Sequence, residues 1–220
     1  MPAKQARTRG KPGSGMAQRR AERRNADRRN SEERWAAIME AGSEVFRRLG
    51  YAHATLEDVA REVGINRATL YYYVADKEEL LIAILDEPIH RMTTDLREIA
   101  ALPLSPTDRL RKAVIHHMQT LEDNYPELFV FLAENLHVLT VGSDRDIQQN
   151  AHAYGEVMVG LLEEGIAAGE FRGDLDPRLV MLGIIGMLNW SHRWYTPDGK
   201  RTLPEIGEEF ATMLLAGLGK

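Results

Sequence analysis

The chain has 220 residues, no cysteine and a formal net charge of −5. The lack of cysteine excludes disulfides and thiolate metal sites. The longest apolar run, residues 179–188, is too short to span a bilayer, which takes about 20 residues. No apolar segment follows the basic N-terminus, so no signal peptide is indicated and we expect a cytoplasmic protein that does not contact a membrane.

The charge is divided unevenly along the chain. Residues 1–30 contain ten Lys or Arg and two Asp or Glu, a net charge of +8, which leaves −13 for the rest. This segment has almost no large apolar side chain and cannot bury enough surface to offset the entropy of ordering. We therefore predict a disordered basic arm. It is a solvated tail, the product of a start codon assigned before the true start at Met16, or a segment that tracks DNA, with residues 16–30 becoming helical on the polyanion.

Two helices with clear start and stop signals follow the arm. The first is predicted from Glu32 to Leu49, with Ser31 as its N-cap and Gly50 at its end. The second begins after Thr55, with Asp58 three positions later in a near-match to a capping box. Its apolar residues recur at helical spacing, at Leu56, Val59, Ala60 and Val63.

A glycine turn separates this second helix from a third one. Gly64 stands where a left-handed C-cap is needed, and the next helix begins at Asn66 or Arg67. A short helix, a turn with glycine and another short helix are the signature of a helix-turn-helix. The second of these short helices would enter the major groove of DNA.

Residues 31 to about 86 resemble the DNA-binding helix-turn-helix of TetR-family transcriptional regulators. The positions that match the family pattern are Thr55, Val59, Ala60, Gly64, Leu70, Tyr71, Tyr72, Tyr73, Lys77, Glu78 and Leu80. Val74 departs from the usual Phe, and Asn66 from the usual Ser or Thr. The resemblance implies a helix-turn-helix domain over residues 31–80 and a helical effector-binding and dimerisation domain over residues 81–220.

The outer face of the recognition helix supplies the expected DNA contacts, since Leu70 and Tyr73 are predicted to pack inward. Arg67 is expected at a guanine edge or a phosphate, and Lys77 at a phosphate beside the start of the fourth helix. The residues expected at the DNA are Thr55, Arg67, Ala68, Thr69, Tyr71, Tyr72 and Lys77.

The remainder of the chain is predicted to be helix after helix, without a competing strand. The fold class is therefore all-α, with about nine helices. Pro88 lies inside the fourth helix, where we expect either a kink or break near Asp86 or a simple helix boundary. The sixth helix is predicted over residues 126–139, the seventh over 143–169 and the eighth over 177–195. The later helices are expected to open near prolines, at Pro106, Pro126, Pro177 and Pro204.

The eighth helix is apolar nearly all round, which predicts burial on every side. The family resemblance implies that it pairs with the ninth helix across a twofold axis, so that two recognition helices meet a palindromic operator. A monomer with both helices in its own core is the alternative. The expected dimer interface contains Met181, Ile184, Leu188, Trp194, Phe210, Met213 and Leu214.

The resemblance also implies a small-molecule pocket among the helices of the C-terminal domain. Met and Phe suit an adaptable apolar pocket, although each such residue taken alone is more often plain core. The histidines do not fall into metal-ligand spacing, and we predict neither a metal nor a cofactor. The expected pocket residues are Met118, Leu121, Phe129, Leu132, Tyr154, Met158, Ile185, Trp190 and Arg193.

Residues 189–199 are similar to an Asn-Trp-x-x-x-Trp-Tyr-x-Pro-x-Gly stretch of TetR regulators of fatty-acid and steroid catabolism, whose effectors are acyl-CoA thioesters. The resemblance implies an apolar tunnel, with cations for the CoA phosphates among Arg145, Arg172, Arg178 and Arg193. The same stretch is alternatively packing at the dimer interface.

The predicted function is a repressor that binds an operator as a homodimer and is released by a hydrophobic effector. Alternatives are a regulator of efflux or stress genes with a drug-like ligand and a non-specific architectural DNA-binding protein. An enzyme is not expected, because no catalytic set of residues stands at a defined spacing.

Overall fold

The computed structural model describes residues 14–134 and 145–219. Within these ranges the chain forms nine α-helices, a short 3-10 turn at Trp190–Arg193 and no extended sheet, so the all-α prediction is confirmed. The helices are α1 Ser14–Leu49, α2 Leu56–Val63, α3 Arg67–Tyr73, α4 Lys77–Ala100, α5 Pro106–Asp123, α6 Glu127–Glu134, α7 Arg145–Ala167, α8 Pro177–Asn189 and α9 Leu203–Leu218.

The first helix starts much earlier than predicted. It begins at Ser14, so the expected start at Glu32 is wrong and the expected disorder of residues 14–30 differs from the structure. The physical reason is composition, because residues 16–29 are mostly Ala, Gln, Glu and Arg, which have high helix propensity. Residues 1–13 of the predicted arm lie outside the described residues.

Helices α1 to α3 form the expected three-helix unit. The α2 helix begins with a full capping box, in which the Thr55 hydroxyl accepts from the Asp58 amide at 3.2 Å and Asp58 Oδ2 accepts from the Thr55 amide at 3.1 Å. Gly64 ends α2 in the left-handed region at φ 75°. The apolar centre of the unit includes Ile38, Val45, Phe46, Val59 and Leu70.

The α4 helix joins this unit to the rest of the molecule without a break. It continues through Pro88, so the expected break near Asp86 is not found. A proline there removes only one hydrogen bond, to the carbonyl of Ile84, and the packing on both sides compensates. At its start α4 lies close to α1, because a methyl group on Gly42 would lie 2.9 Å from Leu80 Cδ2.

Helix α5 runs through the centre of the C-terminal half and packs tightly on α9. A Cβ on Gly207 would lie 3.2 Å from both the Ile115 Cα and the Met118 Cγ, which shows how closely the two helices approach. Glu122 of α5 accepts hydrogen bonds from the Tyr195 hydroxyl at 3.2 Å and from the Leu203 amide at 3.0 Å. These bonds fix the segment between α8 and α9 against α5.

Several helix ends differ from prediction. The expected single helix over residues 177–195 ends at Asn189 and tightens into the 3-10 turn. The α9 helix begins at Leu203, behind a capping box between Thr202 and Glu205. The predicted end of α6 and start of α7 fall between residues 135 and 144, outside the described residues.

Candidate DNA-binding surface and effector pocket

The recognition helix α3 is set by a local cap. The Asn66 side chain accepts from the Thr69 amide at 2.8 Å and from the Thr69 hydroxyl at 3.0 Å. The cap turns Leu70 into the core, where it is fully buried. Tyr73 stacks on Trp35 of α1, with ring centroids 6.0 Å apart, so the inward positions of Leu70 and Tyr73 agree with prediction.

The opposite face of α3 is open to solvent. Tyr72 is 85% exposed and Tyr71 is 41% exposed, and Arg67 and Ala68 are also exposed. Large aromatic side chains are seldom this exposed without a partner. Their hydroxyls and flat faces are suited to phosphate oxygens and sugars.

Arg67 is held above the junction of α2 and α3. Its Nε lies 2.9 Å from Glu57 Oε1, and its Nη2 donates to the Tyr71 hydroxyl at 3.3 Å. The hydrogen bond to Tyr71, followed by the charge of Glu57, raises the pKa of Arg67. Its side chain is 67% exposed, so solvent screens the ion pair and a phosphate or base edge could exchange for Glu57.

Two of the predicted DNA contacts have other partners. Lys77 Nζ donates to the Tyr51 carbonyl at 2.7 Å and lies 3.4 Å from the carbonyls of Ala52 and Ala54, which uses its three protons. This geometry contradicts its assignment to a phosphate. Thr55 is exposed, but its hydroxyl is 2.6 Å from Asp58 Oδ2 within the cap.

An apolar cavity of about 160 Å³ lies in the C-terminal half, enclosed by α4, α5, α6, α7 and α8. Apolar concave sites with a few convergent polar groups are typical ligand pockets. The lining residues are Ile89, Met92, Thr93, His117, Leu121, Leu128, Phe131, Leu132, Asn150, Ala151, Tyr154, Ile185 and Asn189.

Sequence reasoning identified part of this lining. Of the expected pocket residues, the structure places four at the cavity, Leu121, Leu132, Tyr154 and Ile185. Three others are buried elsewhere in the core, Met118, Phe129 and Met158. Met118 faces α9, and Phe129 packs on Tyr125, because a helix turns adjacent apolar residues toward different neighbours.

The remaining two expected pocket residues lie at the surface. Trp190 is 57% exposed, and the guanidinium of Arg193 stacks over its ring at 5.7 Å. Neither residue lines the cavity. The short 3-10 turn after α8 changes the helical phase at this point and directs both side chains outward.

A buried polar group on the cavity wall was missed from the sequence. His117 Nδ1 lies 2.9 Å from the Tyr154 hydroxyl, and His117 Nε2 lies 2.9 Å from Asn189 Oδ1. Since the amide oxygen only accepts, Nε2 carries the proton and Tyr154 donates to Nδ1. Burial lowers the pKa of His117 to about 4 and raises the pKa of Tyr154, so the group is uncharged at neutral pH.

Only one signal could have revealed this polar group. Asn189 opens the motif of residues 189–199, whereas His117 was tested only for metal-ligand spacing. Pairing it with Tyr154 requires a contact between α5 and α7, which no local pattern encodes.

Among the described side chains, no set of three His, Asp or Glu groups could hold a metal ion.

The helices α8 and α9 expose apolar surface, which on α8 lies opposite the buried Ile184 and Leu188. Leu182 is 62% exposed, and Gly183 and Gly186 on the same helix have open space around them. Ile184 and Leu188, which were predicted at the dimer interface, are instead buried within the protomer. The exposed apolar surface, which we call the α8–α9 face, comprises Leu179, Leu182, Trp190, Trp194 and Met213.

The other predicted interface residues border this face. Trp194 lies edge-on to Phe210 at 6.3 Å, and Met181, Phe210 and Leu214 are half-buried. When a helix is apolar on every side, its sequence has no polar stripe to mark the exposed face. The sequence therefore could not distinguish the inward residues of α8 from the outward ones. Ile184 and Leu188 were therefore wrongly assigned, and the other interface residues stay a prediction.

The expected CoA cations are unequally available. Arg178 donates to Glu156 at 2.8 Å, and Arg172 lies 3.5 Å from Asp174. Arg193 is exposed and stacks on Trp190.

No helix in the described ranges is both long and apolar enough to cross a membrane.

Two family models match the chain. Residues 103–218 match the Tetracyclin repressor-like C-terminal domain, and residues 38–84 match the tetR family of bacterial regulatory proteins. The two matches correspond to the C-terminal helices around the cavity and to the helix-turn-helix.

Similar proteins support the same assignment. The transcriptional repressor KstR2 of Mycobacterium tuberculosis is 26% identical over 83% of this chain and 92% of its own length. The structure of that ketosteroid regulator has a TM-score of 0.73 and covers 85% of this chain and 95% of its own. A TetR/AcrR-family regulator from Thermobifida fusca YX-ER1 is 30% identical, with a TM-score of 0.69, over 86% of this chain and 100% of its own.

A third solved structure shares the fold. FadR of Bacillus subtilis in complex with stearoyl-CoA has a TM-score of 0.68 at 23% identity, over 84% of this chain and 99% of its own. At this identity the likeness concerns the fold alone. The family models, together with the relatives of similar length, establish that the chain belongs to the TetR family of bacterial transcriptional regulators.

Proposed function

We propose that this regulator is a repressor that binds a palindromic operator as a homodimer and is released by a hydrophobic effector, with acyl-CoA thioesters as the effector class. Residues 31–80 are its DNA-binding domain, and residues 81–220 bind the effector and the second copy. The role is regulatory and not enzymatic, and the protein acts in the cytoplasm. The observation that carries the proposal is the apolar cavity in the C-terminal half, whose polar lining includes the uncharged group of His117, Tyr154 and Asn189.

DNA binding is assigned to the exposed face of α3. Arg67 and Ala68 at its start are the candidates for base contacts, and Tyr71 and Tyr72 are the candidates for phosphate contacts. Replacement of Arg67 by Ala is expected to reduce the preference for the operator over a scrambled duplex by about 1–3 kcal/mol. Equal losses on both duplexes would contradict this role.

Dimerisation is assigned to the α8–α9 face. Five large apolar side chains are exposed on α8, at the 3-10 turn that follows it and on α9, and so much exposed apolar surface is unusual for a monomer. A twofold arrangement through this face would present two α3 helices to two half-sites about 34–36 Å apart.

The lining of the cavity is suited to an acyl chain with a neutral polar end, and a long chain requires the cavity to widen beyond its 160 Å³, since ligand pockets usually measure about 300–1,000 Å³. Its walls are mostly aliphatic and aromatic, and the described lining residues include neither Lys nor Arg. The side-chain NH2 of Asn189 is the candidate neutral donor to the carbonyl of a thioester. Arg193, four residues later in the sequence and exposed, is the candidate cation for the CoA phosphates. FadR of Bacillus subtilis, which shares the fold, holds stearoyl-CoA in its structure.

Effector binding reaches the DNA-binding domain through two helices. The first is α6, whose leading residue Glu127 is buried and accepts the hydroxyl of Ser43 on α1. The cavity residues of the same helix are Leu128, Phe131 and Leu132. A ligand that displaces α6 therefore acts directly on α1.

The second helix is α4, which lines the cavity with Ile89, Met92 and Thr93. One to three turns earlier, its Leu80 and Ile84 pack against α1 at Gly42. A rigid helix that touches the cavity at one end and the helix-turn-helix at the other couples the two sites without an intermediate.

Calorimetry with oleoyl-CoA, oleate and CoA tests the effector class. We expect one oleoyl-CoA per protomer, weaker binding of oleate and no heat with CoA alone. Binding of oleate at the same affinity would assign the pocket to free fatty acids. Absence of binding by both, with heat from a planar drug-like ligand, would favour the efflux or stress alternative.

A further inference from the structure

We propose that residues 14–34 of α1 form a second DNA-contacting element, which lies along the phosphate backbone beside the recognition helix. We call these residues the N-terminal extension. The inference goes beyond the helix-turn-helix contacts assigned above and rests on DNA binding by this family. The family model for the DNA-binding domain begins at residue 38, so the extension lies outside it.

The extension emerges next to the recognition helix. Trp35, the residue that follows it, stacks on Tyr73 at the end of α3, with their ring planes only 14° apart. At the other end of α1, Gly42 and Ser43 contact α4 and α6. The extension therefore continues α1 away from the effector domain, past the C-terminal end of α3.

The extension has no protein surface to rest on. From residue 22 to residue 34, every side chain that the structure describes is exposed. A helix that is polar all round gains nothing from packing. The one ion pair among its described side chains joins Arg28 to Glu32 at 3.2 Å, with both side chains more than 60% exposed, which contributes little in water.

The charge of the extension fits a polyanion. Arg24 and Arg28 are four residues apart on one face, where like charges repel. The first turn of α1 contains no acidic residue, although the helix dipole favours negative charge there. A row of phosphates removes both penalties, because it neutralises the arginines and also interacts favourably with the N-terminal end of the helix.

The helix-turn-helix itself has few cations to offer. Residues 31–86 contain six Lys or Arg against eleven Asp or Glu. Lys77 is occupied by backbone carbonyls, and Arg34 belongs to the extension. The other four each pair with a carboxylate, and they are Arg47, Arg48, Arg61 and Arg67. The domain therefore has few unpaired cations for phosphates, and contacts from elsewhere in the chain would supplement those of α3.

The length of the extension is sufficient for this role. About 21 helical residues span roughly 30 Å at ~1.5 Å per residue. This length corresponds to the axial rise of about nine base pairs at ~3.4 Å each. The extension can therefore reach backbone that flanks the half-site bound by α3.

The test compares the full-length protein with a variant that lacks four of these charges. The probes are a 40-bp duplex selected by the protein from a random library and a scrambled duplex of the same composition. The substitutions, all to Gln, which preserves helix propensity, are at Arg23, Arg24, Arg28 and Arg29. Four phosphate contacts contribute about 3.6 to the slope of log affinity against log salt. We expect the wild type to lose about 100-fold more affinity than the variant between 50 and 200 mM salt, on both duplexes.

A control variant loses four charges from the effector domain, with Gln at Arg97, Lys112, Lys200 and Arg201. It should keep the wild-type slope, and a variant with Lys at the four extension positions should do the same. An unchanged slope in the extension variant, with its helix content intact by circular dichroism, would overturn the proposal. A change of oligomeric state without a change of slope would also overturn it and would assign the extension to contacts between copies. Failure of the wild type to select any duplex would instead contradict DNA binding itself.

Discussion

The buried histidine of the effector pocket makes the stability of the protein depend on pH in a defined window. His117 is 3% exposed and accepts the Tyr154 hydroxyl while donating to Asn189. Burial lowers its pKa to about 4, from an ordinary value of 6.5. In the unfolded chain His117 is therefore protonated below about pH 6.5, whereas in the folded chain it is protonated only below about pH 4. Stability from the neutral histidine is complete above pH 6.5 and is lost as the pH falls toward 4.

The size of the effect follows from linkage. One pKa unit corresponds to 1.36 kcal/mol, so a difference of about 2.5 units limits the loss to about 3 kcal/mol. At pH 5 the expected loss is about 2 kcal/mol relative to pH 7. This is a large fraction of the 5–15 kcal/mol by which proteins are usually stable.

The assay is urea unfolding at a fixed protein concentration between pH 4 and pH 8, since oligomerisation makes stability depend on concentration. The variant His117→Gln can keep both hydrogen bonds but does not titrate. We expect the wild type to lose about 2 kcal/mol more than this variant between pH 7 and pH 5. His53→Gln, on an exposed loop, controls for loss of a histidine from the unfolded chain. Parallel pH profiles of wild type and His117→Gln would refute the reasoning.

Four further changes probe the other contacts. Ile185→Trp fills part of the cavity and should weaken oleoyl-CoA binding at least tenfold in calorimetry, with operator affinity nearly unchanged. Leu182→Asp should convert the dimer to a monomer in light scattering, whereas Leu104→Asp, at a similarly apolar exposed site on the α4–α5 turn, should not. Lys77→Ala should lower the free energy of unfolding by about 1–3 kcal/mol without changing the salt slope of DNA binding; a slope reduced by about 0.9 would restore its phosphate role. Ser43→Ala should leave effector affinity intact and reduce operator release in anisotropy, and full release would exclude the α1–α6 contact from the coupling.

The helix-turn-helix could be predicted because its determinants are local. Thr55 and Asp58 cap α2 through bonds three residues apart, and Gly64 ends it with a backbone conformation that few other residues adopt. Asn66 caps α3 in the same way. Each signal lies within one turn of its effect, so its spacing in the sequence is sufficient to identify it.

The parts that could not be predicted depend on tertiary contacts or on weak propensities. Lys77 binds a carbonyl 26 residues away in the sequence, and His117 pairs with residues from two other helices. Helix α8 is apolar on all sides, so only its packing reveals that Ile184 is inward and Leu182 outward. The start of α1 was missed because charge suggested disorder, whereas residues 16–29 have high helix propensity.

Release of the operator by an acyl-CoA tests the central claim most directly. A fluorescent operator duplex, bound by the dimer, is titrated with oleoyl-CoA while its anisotropy is followed, and CoA alone is the control. The account predicts that anisotropy falls to the value of free DNA, at effector concentrations close to the calorimetric dissociation constant, and that Ile185→Trp remains bound. Oleoyl-CoA that fills the cavity and leaves the operator bound would contradict the account.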